Sequence, residues 1–440
     1  MQAVLPFLPA PPSWFPGHMS RFTKQLPSLL SRTDVLLEIR DSRLPLTSIN
    51  NNLEGAIHKW RAERGYNPNT HPDPSVAPAP EASLSSYGGH VCEHIVVLNK
   101  RDLVPEWGIE PFRRAMARRF PGQTIVSASL NKTREIKSLS QMLVNIAKRN
   151  PHATEMNVLV VGMPNVGKST LLNSLRHQGI AGRTAKALQT SSQPGHTRTV
   201  SSRLKLSEEP LIYSYDSPGV MLPFLGRGQH GAERGVKLAL IAGIKEGLYD
   251  IESLVAYLLY RLNILNPVEP AYLRLLPPGS PPVNNADEFI DLLATRLNMR
   301  VRGGLADTPR AAKWFVEWWR SEGGLAAAAS APLHLRLPAS TASNADAGSA
   351  IRRGWGFDIE WTEDTSVSAP AAPSKRTSEK FAKAVQQRME ECIDAFVGAT
   401  AAEEEAGMGV STTQERKRAL AEKKAKAAAR TRARLSSRKT

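Results

Sequence analysis

Short apolar runs alternate along this chain with stretches in which apolar residues recur every three or four positions. Residues 34–40 (DVLLEIR), 94–98 (HIVVL), 123–129 (QTIVSAS) and 155–162 (EMNVLVVG) read as buried strands. TVSSRLKL and LIYSYDSPG give two more, ending near 206 and 216. Between them, helical spacing places Phe112, Met116 and Phe120 on one stripe of 110–120. Ile136, Leu139, Leu143 and Ile146 do the same within 135–149, and KSTLLNSLR opens a helix at 168. Strands alternating with helices predict an α/β fold with a doubly wound, mostly parallel sheet. Residues 248–325 read as helical, with LVAYLLYRLNIL at 254–265 and AAKWFVEWWR at 311–320. Trp314, Trp318 and Trp319 fall at helical spacing there and are expected to pack in a core.

Three segments break the pattern. Residues 65–90 are rich in Pro, Ser, Gly and Asn and read as an inserted loop. Residues 326–374 are rich in Ala, Ser and Pro, with an island at 351–361 (IRRGWGFDIEW) that could be ordered. From 375 the helical propensity is high but the pattern is mostly polar. The last stretch, 415–440, holds eleven Lys or Arg against two Glu, a net +9, and is expected to be mobile or a frayed helix when free.

Charge and cysteine content narrow the function classes. The 440-residue chain carries a formal +16, which favours a polyanionic partner: nucleic acid first, an anionic membrane surface second. Its two cysteines, Cys92 and Cys392, cannot form a disulfide framework or a four-cysteine zinc site, and suit a reducing compartment. The longest apolar runs, such as LALIAGI at 238–244, are too short to span a membrane. The N-terminal MQAVLPFLPAPPSWFPGHM has no Lys or Arg before Arg21, so no transit peptide is legible in it.

Two motifs carry the chemistry. GMPNVGKST, from Gly162 to Thr170, satisfies the phosphate-loop pattern on a strand–turn–helix. Its backbone N–H groups, from Asn165, Val166, Gly167 and on to Thr170, would wrap phosphates at the helix N-terminus. Lys168 would reach the β and γ phosphates, and the Ser169 hydroxyl would ligate Mg²⁺. DSPG at 216–219 follows at a strand end, where Asp216 would hold Mg²⁺ and the Gly219 N–H would sense the γ-phosphate. The second motif is NKRD, Asn99 to Asp102. An Asp102 carboxylate can accept from both N1–H and the exocyclic amine of guanine, a donor pair adenine lacks, and Lys100 would lie along the base. SAS at 127–129 supplies a second base loop through Ser127 and the Ala128 backbone. NNAD at 284–287 lacks the Lys, follows no strand and is rejected.

The order is unusual. Guanine nucleotide-binding chains commonly run phosphate loop, switch threonine, DxxG, NKxD, SAx; here NKRD and SAS precede the phosphate loop. Each piece ends a strand, and the helix at 135–149 links the usual last element to the usual first. The chain therefore reads as a circularly permuted P-loop GTPase, which requires only that the old termini lie close together. The expected domains are 14–245 (GTPase, with the insertion at 61–92), 246–335 (helical) and 336–440 (low-complexity linker and basic tail).

With WFPGHM at 14–19, EIRDSRLPLTS at 38–48, QPGHTR, DSPGVMLP and RGGLADTPRAAKWFVEWWR, the chain resembles the YlqF-type circularly permuted GTPases over roughly 14–60 and 93–335. The family writes Ala where this chain has Ser42. The resemblance implies a GTPase of late large-ribosomal-subunit maturation, mitochondrial in this instance, with the large subunit and its rRNA as partners and the particle stimulating hydrolysis. A monomer is the expected state. Of the candidates Thr184, Thr190, Thr197 and Thr199, the family's PGxT pattern selects Thr197 as the switch threonine and Mg²⁺ ligand. Val220 stands where many relatives place a water-orienting Gln, so hydrolysis should be slow unaided. The resemblance offers two aids: a K⁺ ion held in part by Asn165, and His18 of WFPGHM as the catalytic group. The alternative from another class is a nucleotide-gated adaptor, peripheral on the inner membrane through its basic tail.

Overall fold

A computed structural model describes residues 4–12, 14–65, 92–130, 132–180, 182, 187–188, 197, 199–222, 224–332, 350–364 and 375–406. Six strands form one sheet: β1 (Val35–Asp41), β2 (Glu93–Asn99), β3 (Thr124–Ser127), β4 (Met156–Gly162), β5 (Leu204–Ser207) and β6 (Ile212–Asp216). Their spatial order is β3-β2-β1-β4-β6-β5, all parallel except the β5–β6 pair. Read from the phosphate-loop strand β4, the sheet doubles back in both directions, as a doubly wound sheet does. The permutation has moved the chain ends and left the sheet intact.

β1 lies at the centre and is buried at all seven positions, yet it carries Glu38 and Arg40. Two buried charges there require partners. Arg40 donates to Glu38 at 2.6 and 2.8 Å and to Glu54 at 2.8 Å, and His94 Nε2 lies 3.0 Å from Glu38. Burial raises the Glu38 pKa, but Arg40 and His94 outweigh it and hold the carboxyl at about 2.

Helices flank the sheet. α1 (Gly17–Leu30) and α2 (Asn51–Glu63) pack on one face with Phe22, Leu26, Ile57 and Trp60. α3 (Ile109–Arg119) buries Phe112 and Met116; α4 (Thr133–Lys148) buries Ile136, Leu139, Leu143 and Ile146, the expected stripe. α5 (Lys168–Gly179) follows β4, and α6 (Gly228–Leu240) follows the DSPG segment. The helical region comprises α7 (Ile251–Leu265), α8 (Ala286–Arg296), α9 (Thr308–Trp318) and α10 (Gly324–Ser330). Trp318 and Trp319 are buried there, and Trp314 packs partly buried against the same core. α2 extends into the expected insertion as far as Glu63; residues 66–91 lie outside the described residues.

The segment expected as linker and tail holds two ordered elements. β7 (Ala350–Trp355) and β8 (Ile359–Asp364) form an antiparallel hairpin, and α11 (Lys375–Glu405) packs along α3. Val385, Met389 and Ile393 recur every four residues on α11 and are buried against Phe112, Met116 and Trp355. The stretch is mostly polar because a single helix stripe, flanked by Arg118–Glu390 and Arg119–Asp394 pairs, suffices for the contact. Residues 407–440, with the basic run, lie outside the described residues.

Candidate GTP-binding site

Ligands of doubly wound sheets sit at the carboxyl ends of the strands, beside the point where strand order reverses. Here β1 and β2 end level, with Asp41 opposite Asn99, and β4 ends two residues short of them, with Gly162 opposite Ile39. β3 ends at Ser127 and β6 at Asp216, so NKRD, SAS, the phosphate loop and DSPG all emerge along one edge.

The phosphate loop depends on backbone shapes that side chains resist. Gly162 has φ 145°, Gly167 φ 94° and Asn165 φ 60°. A Cβ on Gly162 would lie 2.2 Å from the Ile39 carbonyl of β1. One on Gly167 would lie 2.6 Å from Asn99 Nδ2, and one on Gly219 would lie 2.6 Å from Pro164 Cα. DSPG thus touches the phosphate loop backbone to backbone, and the Asn99 side chain lies directly against Gly167. Val220 N–H donates to the Gly162 carbonyl at 3.1 Å, which fixes DSPG on the phosphate-loop strand.

Lys168 Nζ points into its own loop, donating to the carbonyls of Met163 at 2.8 Å and Gly162 at 3.2 Å. Burial draws its ammonium down to about 8, against the pull of Asp216. The Ser169 hydroxyl donates to Asp216 Oδ2 at 2.6 Å. Asp216 Oδ1 is buried without a hydrogen-bond partner, and burial raises this carboxyl's pKa despite Lys168. A hydroxyl and a half-satisfied carboxylate beside a lysine fit a hydrated Mg²⁺ and a phosphate chain.

On the base side, Asn99 Nδ2 donates to the Val166 carbonyl at 2.7 Å and Lys100 Nζ to the Asn165 carbonyl at 2.9 Å. Asn99 Oδ1 is buried without a partner. Asp102 is partly exposed at the start of a short 3-10 turn. Ala128 N–H donates to Leu98 O at 2.8 Å, and Arg101 N–H to Ala128 O at 3.2 Å, which docks SAS against NKRD. These groups leave an acceptor and a carboxylate for guanine donors.

Three supporting residues received no role from the sequence. Asp41, at the end of β1, takes Lys100 Nζ at 3.1 Å and a two-pronged bond from Arg43 at 2.8 and 2.9 Å. Burial raises its pKa, but Arg43 and Lys100 prevail and hold it far below the carboxylate range. Glu135 of α4 accepts from Arg101 at 2.7 Å and from the Ser129 N–H at 2.6 Å, bracing both base loops. Asp358 of the hairpin turn accepts from the Leu46 and Thr47 N–H groups. A carboxylate ending an apolar strand was the legible signal for Asp41; the other two depend on tertiary pairing.

Of the remaining candidates, His18 lies partly buried in the first turn of α1, beside Trp14 and Phe15, which pack on the main core. Thr197 is partly buried, but Thr184 and Thr190 lie outside the described residues. Asn165 Nδ2 reaches the Ile241 carbonyl after α6 at 3.4 Å. Among the described residues no helix is long and apolar enough to cross a membrane.

Comparison with known proteins agrees with this geometry. A family model described as 50S ribosome-binding GTPase matches residues 157–260. Mitochondrial GTPase 1 of Schizosaccharomyces japonicus is 32% identical over 314 residues, 70% of this chain and 87% of that protein. Its Schizosaccharomyces pombe counterpart is 31% identical over 67% of this chain and 82% of that protein. Mitochondrial ribosome-associated GTPase 1 of Mus musculus is 30% identical over 57% of this chain and 66% of that protein. A permuted GTPase sheet with guanine and phosphate loops on one edge, matched along most of the length of such relatives, places the chain in the mitochondrial GTPase 1 family of GTP-hydrolysing proteins.

Proposed function

We propose that this GTPase acts in mitochondria as an assembly factor in late maturation of the large ribosomal subunit, contacting its rRNA. The names of the relatives and of the matching family support a mitochondrial, ribosome-linked role. A net charge of +16 suits an RNA partner. The observation that carries the GTP-dependent part is the joining of base reader to phosphate loop by Asn99–Val166 and Lys100–Asn165.

In this reading Asn99, Lys100, Asp102, Ser127 and Ala128 select guanine. The backbone from Asn165 through Val166, Gly167 and Thr170, with Lys168, holds the phosphates. Ser169, Thr197 and Asp216 would hold Mg²⁺, which would supply charge neutralisation to the phosphate chain. The Gly219 N–H reads the γ-phosphate. Val220 has no group to orient water, so the basal rate is low, and ribosomal particles, K⁺ near Asn165 and His18 raise it. Because α6 and the helical region follow DSPG directly, the γ-phosphate has a short path to α7–α10.

The test is GTP turnover with and without large ribosomal subunits, in potassium and in sodium, together with recovery of rRNA on protein loaded with a non-hydrolysable GTP analogue. Stimulation in potassium and analogue-dependent rRNA capture are expected. Anionic-vesicle binding with neither of these would favour the membrane adaptor.

A further inference from the structure

Helix α6 continues from the DSPG segment and carries Lys237 on its buried side. The Lys237 ammonium lies 3.0 Å from Glu233 and 3.2 Å from Asp358 Oδ1. Asp358 sits in the turn between β7 and β8, with its side chain 1% exposed. The same carboxylate accepts from the N–H groups of Leu46 at 2.8 Å and Thr47 at 2.7 Å, and from the Thr47 hydroxyl at 2.6 Å. Each carboxylate oxygen therefore has two donors, about all that it can accept.

Leu46 and Thr47 follow Asp41-Ser42-Arg43, the loop that holds Lys100. The hairpin turn is seated on that loop. Phe357 N–H donates to the Arg43 carbonyl at 2.8 Å, and a Cβ on Gly356 (φ 58°) would meet that carbonyl at 2.9 Å. Arg43 also lies 5.0 Å over the Trp319 ring, which stacks on Phe357. On the other side, Trp355 Nε1 donates to the carbonyl of Pro105, just past NKRD, at 2.9 Å. Closing a two-stranded hairpin requires none of this, since a turn aspartate is ordinarily solvated. One buried carboxylate instead joins the base-reading side of the site to the helix leading from the phosphate-sensing side.

We propose that Asp358 is a positioning residue for the nucleotide site: it ties the loop after β1 to α6, so that the two move together and guanine nucleotide is released slowly. Parting them would leave a buried charge without its partner, which is strongly unfavourable. The inference rests on the nucleotide-site residues proposed above.

The experiment follows release of N-methylanthraniloyl-GDP from the full chain, chased with unlabelled GDP. It compares the unmodified protein, Asp358→Asn, Lys237→Met, their double variant and Lys237→Arg. Asp358→Asn keeps acceptors for the Leu46 and Thr47 N–H groups and loses the charge facing Lys237. Each of Asp358→Asn and Lys237→Met should accelerate release by about fivefold or more, the lower edge of typical coupling between sites. The double variant should release no faster than the faster single, because both break one link. Lys237→Arg, which keeps the charge, should restore slow release. Thermal unfolding without nucleotide is measured in parallel. Unchanged release in both singles, accelerations that multiply in the double, or lowered melting with unchanged release would overturn the proposal. If Asp358→Asn does not fold, Lys237→Met against Lys237→Arg still decides. Failure of the unmodified protein to bind N-methylanthraniloyl-GDP at all would instead overturn the site assignment beneath it.

Discussion

Asn99 of the base loop donates its amide N–H to the carbonyl of Val166 in the phosphate loop, at 2.7 Å in a fully buried position. Although 67 residues separate them, the proposed base reader and the proposed phosphate cradle form one hydrogen-bonded unit. Base and phosphate affinity should respond together when this bond is broken.

Asn99→Ala leaves the buried Val166 carbonyl unpaired, at a cost of about 1–3 kcal/mol. It should weaken GTP and GDP alike, in direct nucleotide titrations. Asp102→Asn should act differently: GTP weakens strongly and xanthosine triphosphate least, because the exchanged group complements the changed base. Equal affinity of the unmodified protein for ATP and GTP would sink the guanine assignment.

Acid should act through Glu38. Its folded-state pKa, about 2, lies below the ordinary 4.5, so its contribution is fully present above 4.5 and is lost as pH falls towards 2. That contribution is about 3 kcal/mol. Glu38→Gln breaks a buried pair, leaving Arg40 with Glu54 as its carboxylate partner, and should destabilise at pH 7 by roughly 3–5 kcal/mol. Denaturant unfolding across pH should show the gap between variant and parent narrowing as pH drops from 4.5 to 2. A constant gap would refute this account of the network, in which Arg40, His94 and Glu54 are the facing groups.

Trp355 anchors the hairpin. It is 1% exposed, stacks on Phe112 with ring centroids 4.9 Å apart and bonds the Pro105 carbonyl. Trp355→Ala should cost about 3–5 kcal/mol in denaturant unfolding. A loss under 1 kcal/mol would mean that the hairpin is not integral to the domain.

His18→Ala should lower particle-stimulated GTP turnover and leave GTP affinity close to that of the parent. If affinity and turnover fall together, His18 serves the packing of the first turn of α1 and has no catalytic part.

Deleting 411–440 removes the whole basic run and should weaken binding to ribosomal particles at low salt. Each phosphate contact adds roughly 0.7–0.9 to the salt slope, so the slope should flatten, with GTP affinity untouched. Particle binding at several potassium concentrations checks this; identical slopes would make the tail a solubility device only.

How far the fold was legible depended on burial. Strands buried on both faces give continuous apolar runs, and β1, β2 and β4 were plain for that reason. The positions of NKRD and the phosphate loop were readable because their glycine and strand-end contexts are local. The helical propensity from 375 was legible, but the packing of α11 was not: Val385, Met389 and Ile393 stand among Lys, Gln and Glu, so composition masked a narrow stripe. Asp358 could not be read at all. It looks like any turn aspartate until the fold brings it to Leu46, 312 residues away in sequence.

The central place of β1 also bears on how the molecule comes to be folded. One of the two neighbours of Val35, Val158 of β4, leaves the synthesising ribosome more than a hundred residues after it. Until then β1 can pair with β2, but its other edge is unsatisfied and its buried charges lack their final surroundings. Such distant pairings slow folding and lengthen the time for which an apolar edge stays sticky. Cutting and rejoining a GTPase in this way keeps the finished architecture and places its most exposed interval between the making of β1 and that of β4, where a holding chaperone would have the most to protect.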